Sequence, residues 1–351
     1  MAKIIENPIY QEDLAIVAKS FPSENLRNKS ILVTGATGMI GSFLVDTLMF
    51  LNDHSHANMK IIACGRNQKR VTDFFEHYMN SPLFCVLQQD VREAFQIDGN
   101  LDYVIHCASN AHPVAYAEDP VGTMTTNFLG TKNVLDLCVE KKAEILFLST
   151  FNVYGKNRGD ITAFTEDYNG LLKIESRSCY PESKRSSETL CHCYSAQFGV
   201  NFKIARLSRV FGPTMIESDS KASAQFFRNG VSGRDIVLKS NGKQYYSYIY
   251  TPDAVSAILY ILVNGKENDT YNIANQMCNV HLADFANQIA TMSGAKVVFD
   301  VQSSLEQKGS MNSVYDLMDN SKLQAIGWTP KYSLENSVNR TLTILANLKT
   351  K

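Results

Sequence analysis

Six short apolar runs set the fold: 31–34 (ILVT), 60–64 (KIIAC), 83–88 (LFCVLQ), 103–107 (YVIHC), 145–149 (ILFLS) and 202–207 (FKIARL). They are nearly unbroken, unlike the apolar–polar alternation of a strand with one wet face, so both faces must be covered. Helix-like segments lie between them, notably at 39–51, 67–79, 127–142 and 183–198. Strands that alternate with helices make crossover units and hence a parallel sheet. The pattern predicts an α/β protein with a doubly wound parallel sheet. A further amphipathic helix is predicted at 9–20. After "FGP" (211–213) the alternation fails. Residues 213–351 read as a smaller mixed α/β substrate domain, with 245–275 returning to the first domain, 1–212.

Composition narrows the partners. Lys plus Arg total 34 against 35 acidic residues, with no basic block, so neither nucleic acid nor an anionic membrane surface is an expected partner. The longest apolar stretches, such as 257–263, fall well short of the ~18 residues needed to cross a bilayer. The N-terminus lacks the basic start and apolar run of a signal peptide. Eight scattered cysteines with no CxxC pair suit a reduced, cytoplasmic protein. "CHC" (191–193) offers no metal site, because consecutive helix positions point about 100° apart.

Three glycines punctuate "VTGATGMIGSFL", residues 33–44. Gly35, Gly38 and Gly41 follow a strand and open a helix, the arrangement that holds a dinucleotide pyrophosphate. Gly35 permits the turn, Gly38 lets the backbone reach the phosphates, and Gly41 allows close packing of helix on strand. Thr37, Met39 and Ile40 complete that turn. The second strand ends "ACGRNQKR" (63–70) without the Asp or Glu that accepts from the adenine ribose in an NAD site. Arg66 is placed instead to pair with a 2′-phosphate, so NADP(H) is favoured, with NAD(H) the alternative.

Tyr180 and Lys184 in "CYPESKRSSETL" (179–190) stand one helical turn apart and share a face. An ammonium beside a phenol lowers the phenol's pKa from ~10 toward working pH. With "LSTFNVYG" (148–155) and the glycine turn, this pair resembles the extended short-chain dehydrogenase/reductase superfamily, specifically its nucleotide-sugar epimerases, dehydratases and decarboxylases. "HCASNAHP" (106–113), "NFLGTKNVL" (127–135), "ARLSRVFGP" (205–213) and "YNIAN" (271–275) match family landmarks in order. The resemblance covers nearly the whole chain from residue 30. It implies a Rossmann-type domain and a nucleotide-sugar substrate. Tyr180 would be the proton carrier, Lys184 its partner, and Thr150 (rather than Ser149) the hydroxyl that orients the reacting oxygen. It also implies cofactor contacts from Asp90, Val91, Ala108, Ser109 and Asn127, and a homodimer through the helices 127–142 and 183–198.

Two departures separate the chain from the family. Thr150-Phe151-Asn152 lacks the carboxylate that dehydratases and decarboxylases carry beside this threonine, and an amide is neither acid nor base. Tyr246 stands where the family has an arginine for the substrate diphosphate, and Arg209, at a position where relatives have Asn, is the candidate replacement. The expectation is NADP(H)-dependent hydride transfer to a keto group of a nucleotide-activated sugar. Epimerisation, 4,6-dehydration or uronate decarboxylation with retained NAD(P) is the alternative, and a non-catalytic NADP-sensing protein is a remote one.

Overall fold

The computed structural model describes residues 2–111, 113–300 and 315–349. His112, within one family landmark, and residues 301–314 and 350–351 of the predicted second domain lie outside the described residues. The elements of the first lobe are α1 (Pro8–Ala18), β1 (Ser30–Thr34), α2 (Met39–Ser55), β2 (Lys60–Gly65), α3 (Gln68–Phe74), β3 (Phe84–Gln88), β4 (Tyr103–His106), α4 (Pro113–Glu118), α5 (Pro120–Lys141), β5 (Glu144–Thr150), α6 (Cys179–Phe198) and β6 (Phe202–Leu207). Two later elements join them: α8 (Thr251–Asn264) and β10 (Asp269–Ile273).

The predicted doubly wound sheet is present, with a seventh strand. Its order is β10-β6-β5-β4-β1-β2-β3, and every neighbouring pair is parallel. Neighbouring β1 and β4 lead away to opposite halves of the sheet. That reversal opens a crevice beyond their C-terminal ends, where sheets of this kind take ligands. All five residues of β1 are buried, which explains the unbroken apolar run.

Some boundaries differ from the sequence pattern. Helix α5 begins at Pro120 rather than 127, because Asp119 caps it through the Gly122 amide and Pro120 suits the first turn. Helix α6 begins at Cys179, which puts Tyr180 in its first turn. The helix expected over 67–79 stops at Phe74. Phe75 leaves the helical conformation to bury its ring against Tyr78 and Phe84, and a short 3₁₀ turn, Glu76–Tyr78, follows.

A smaller lobe is built on β7 (Arg209–Phe211), α7 (Ala222–Val231), β8 (Ile236–Leu238), β9 (Tyr245–Tyr250), β11 (Asn279–His281), α9 (Leu282–Ser293), β12 (Val297–Phe299) and β13 (Tyr315–Asp316). Strand β9 takes β7 and β13 in parallel and β11 antiparallel, while β8 and β12 form a separate parallel pair. Phe211, Phe227, Tyr248 and Phe285 meet in its core. The stretch 245–275 is therefore split between the lobes. Strand β9 belongs to this small sheet, and only α8 and β10 rejoin the large one.

Helix α1 ties the lobes together. Its Asp13 is wholly buried and accepts hydrogen bonds from Tyr250 on β9, from Tyr332, and from Arg340 on the helix Leu334–Lys349. On the same helix Tyr10 donates to Asp46 of α2. Burial raises the Asp13 pKa, while Arg340 opposes the rise.

Candidate active site

The crevice begins at the glycine turn. Gly35 adopts φ +65°, and a Cβ there would lie 2.9 Å from Ala108 at the end of β4. A Cβ on Gly41 would come within 2.4 Å of the Gly35 carbonyl. These two glycines are thus required by the fold itself. Gly38 is different: a Cβ would meet only the Gly35 carbonyl, at 3.2 Å, so the chain alone demands little of it. Helix α2 starts at this point with no side chain capping its amides, and Thr37, Met39 and Ile40 are half-buried around it. Open backbone amides at a helix N-terminus beside a residue without a side chain suit a pyrophosphate, so the turn fits a dinucleotide cofactor.

The other cofactor-site candidates divide. Arg66 is exposed just beyond β2, whose final residues carry no acid. Asp90 spends its carboxylate on the guanidinium and amide of Arg92, which hold its pKa below the usual range. It is an ion-paired loop residue rather than a free acceptor. Val91 is buried beneath Gly130. The Ala108 amide donates to Thr34 across the crevice floor. Asn127 is buried and acts inside the protein: it accepts from Ser109 and donates to Ser183 of α6, which fixes that helix against the end of β4.

At the end of β5 Thr150 stands beside the Tyr180 phenol, where its hydroxyl favours the phenolate. Ser149 is excluded from that role, because its hydroxyl is held by Glu188, which also pairs with Arg206. The Tyr180 ring stacks on Tyr116 of α4, with centroids 5.5 Å apart and planes 13° from parallel. Burial pushes the phenol up to about 12, and the neighbouring Thr150 hydroxyl opposes that rise. This corrects the expectation that Lys184 lowers it. The Lys184 ammonium donates instead to the Leu148 carbonyl at 2.8 Å and lies 4.5 Å from the centre of the Phe147 ring. Its own pKa falls to about 8 through burial. The shared helix face holds, but the buried ammonium takes the nearest strand carbonyl.

Asn152 donates to Thr150 Oγ1 from its side chain at 3.1 Å and from its backbone amide at 3.3 Å. Arg209 reaches in from β7. Its guanidinium lies 4.1 Å from the Phe151 ring centre and 3.5 Å from that of Tyr246, and it pairs with Asp316 at 2.9 Å. Tyr116 and Asp316 escaped the sequence reading. Among the described residues no cluster of three His, Cys, Asp or Glu is arranged to hold a metal ion. No helix there is long and apolar enough to cross a membrane.

A parallel sheet with a glycine turn at its switch point and a Tyr-x-x-x-Lys helix beside it define an enzyme of the extended short-chain dehydrogenase/reductase type. The family model "NAD dependent epimerase/dehydratase family" matches residues 31–274, and the chain belongs to that family. It is 31% identical over 325 residues to UDP-glucuronic acid decarboxylase 1 of Xenopus tropicalis, covering 92% of this chain and 73% of the relative. It is also 31% identical to UDP-glucuronic acid decarboxylase 6 of Arabidopsis thaliana, over 89% of this chain and 87% of the relative. The fold is shared with a dTDP-glucose 4,6-dehydratase from Streptomyces venezuelae with NAD bound (TM-score 0.78, 21% identity, 92% and 98% of the two chains). It is shared too with a UDP-glucuronic acid 4-epimerase from Bacillus cereus in complex with UDP-glucuronic acid and NAD (TM-score 0.75, 21% identity, 91% and 99%).

Proposed function

We propose that this protein reduces a keto group on a nucleotide-activated sugar, using NADP(H), and that it has lost the elimination and decarboxylation chemistry of its relatives. The observation that carries the proposal is Asn152. An amide sits against Thr150, within the reacting site, where the resemblance places a carboxylate. Without that acid–base group, what remains is a site for hydride and proton transfer.

In this reading Thr150 and Tyr180 hold the substrate oxygen, and Tyr180 gives it the proton. Bound nicotinamide supplies the hydride at the neighbouring carbon. Lys184 keeps the strand end and the helix in register through Leu148. The turn from Gly35 to Gly41, with Ala108 and Ser109 facing it across the crevice, would hold the cofactor. Arg209 lies over the ring of Tyr246, the position of the missing arginine, which supports its assignment to the substrate diphosphate; Asp316 would have to yield its partner when substrate binds.

The NADP preference rests on Arg66 and on the absence of an acid at the end of β2. Arg66→Ala is expected to weaken NADPH binding roughly tenfold or more, the scale of a charge-assisted hydrogen bond, while NADH binding changes little. Equal losses in a titration of the two cofactors would refute the assignment.

A homodimer through α5 and α6 is part of the proposal. Helix α5 carries exposed Val121 (73%), Met124, Phe128, Leu129 and Val139, and α6 adds Phe198 near its end. Burying such a patch is favourable. Light scattering at micromolar concentration should give twice the chain mass. A monomer mass would contradict the dimer.

A further inference from the structure

We propose that Glu188 is a positioning residue: with Lys184 it fixes the end of β5, which carries Thr150, against α6, which carries Tyr180. Tyr180, Lys184 and Glu188 stand at i, i+4 and i+8 on α6 and so share one face. On β5 the ladder with β6 runs on to Thr150, but the ladder with β4 stops at the pair His106–Phe147. The strand end thus keeps one neighbouring strand, and α6 supplies its further anchors. Lys184 donates to the Leu148 carbonyl, and the Glu188 carboxylate accepts from the Ser149 hydroxyl. One hydrogen bond would leave a pivot; two, from successive turns of a rigid helix, set both the height and the rotation of the strand. Thr150 is the next residue, so its side chain is presented from a backbone held at two points.

Glu188 is 6% exposed, and a carboxylate so buried needs partners. Arg206 of β6 supplies them: its Nη2 donates to Oε2 at 2.6 Å and its Nε to Oε1 at 3.0 Å. Arg206 is also the register partner of Ser149 across the sheet, so the carboxylate spans two adjacent strands. The rest of the guanidinium serves the segment that follows Thr150. Its Nη1 donates to the Glu166 carbonyl at 2.7 Å, and its centre lies 4.8 Å from that of the Tyr154 ring. Arg185 of α6 donates to the Val153 carbonyl. The chain is thereby held on both sides of Thr150. Burial lowers the Lys184 pKa to about 8, and Glu188 opposes that fall, which favours the ammonium that grips Leu148. An ion pair that only braced α6 on the sheet would need Arg206 alone. The bond to Ser149, one residue from Thr150, is what a brace does not require.

The assignment rests on the reading of Thr150 and Tyr180 as the reacting pair. Its test is Ser149→Ala, which removes the bond to the strand and leaves the Glu188–Arg206 pair in place. Turnover is measured on whichever member of a panel of nucleotide-linked keto sugars, hexoses and hexuronates the wild type converts, so failure of the keto-reductase reading would not touch it. Hydrogen–deuterium exchange at 148–152 is followed in parallel and needs no substrate; where no sugar is converted, exchange decides. Ser149→Ala is expected to lower kcat roughly tenfold with KM within about twofold, because small misplacements of reacting groups are costly. Exchange at 148–152 should rise severalfold, and Ser149→Thr, which keeps the hydroxyl, should restore both. A Ser149→Ala protein that turns over or exchanges like the wild type would overturn the assignment. In a Glu188→Leu, Arg206→Met background, which leaves no buried charge unpaired, Ser149→Ala should cost no further turnover. The same tenfold loss in that background would show that Ser149 acts without Glu188 and would equally overturn it. Should that background fail to fold, the single variant decides.

Discussion

Tyr180→Phe is expected to cut turnover by roughly 10²–10⁴-fold, the usual contribution of a positioned acid or base. Cofactor affinity should stay within about twofold, because the change removes one hydroxyl and keeps the ring. The ring's stacking on Tyr116 does not use the hydroxyl, and the Asn127–Ser183 link that seats α6 is untouched. The loss should appear in kcat rather than in KM, since the proton is needed in the transition state. Steady-state kinetics with a parallel cofactor titration would show this. Turnover within about threefold of wild type would mean that another group carries the proton, against the ordinary size of the effect.

Asp13→Ala is expected to be the most damaging change far from the chemistry. The carboxylate is wholly buried and receives Tyr250, Tyr332 and Arg340. Alanine would leave two tyrosine hydroxyls without this partner and the Arg340 guanidinium paired, among the described residues, with the more exposed Glu12 alone. Removing one member of a buried ion pair typically costs about 3–5 kcal/mol, most of it from the charge left behind. Asp13→Asn keeps the shape and should cost less. Urea unfolding would measure both. A loss under about 1 kcal/mol for Asp13→Ala would show that α1 is not the clamp between lobes that its contacts describe. The two substitutions separate cleanly: the first should cut turnover in a stable protein, the second should destabilise a protein whose reacting groups are intact.

Six strands of the large sheet are legible because each is local and mostly buried, so its apolar run carries the signal, whereas β10 (Asp269–Ile273) offers no such run. The glycine turn and the Tyr180–Lys184 spacing were legible for the same reason, since each lies within one turn or one helix. What could not be read was what depends on distant partners. Asp316 meets Arg209 from 107 positions away, and Arg340 meets Asp13 from 327. No local pattern announces either pair. Tyr116 lies on a one-and-a-half-turn helix with no periodicity to mark it, and only the docking of α4 on α6 makes it a neighbour of Tyr180. Strand β9 looked like part of the first domain because of its neighbours in sequence, whereas its pairing with β7, β11 and β13 places it in the small sheet. Lys184 shows a subtler limit. Spacing gives the shared face, but the environment decides which acceptor a buried ammonium takes.

The central claim is that a site with an amide at position 152 reduces and does not eliminate. Its most direct test is to incubate wild-type enzyme with NADPH and a panel of nucleotide-linked keto sugars, hexoses and hexuronates, with products followed by mass spectrometry and NADPH by absorbance. The account predicts stoichiometric NADPH consumption with a keto sugar, a product heavier by one hydride and one proton, and no loss of water or carbon dioxide from any member of the panel. Release of water from a hexose or of carbon dioxide from a hexuronate, with NADPH unchanged, would contradict it and return this chain to the chemistry of its decarboxylase and dehydratase relatives.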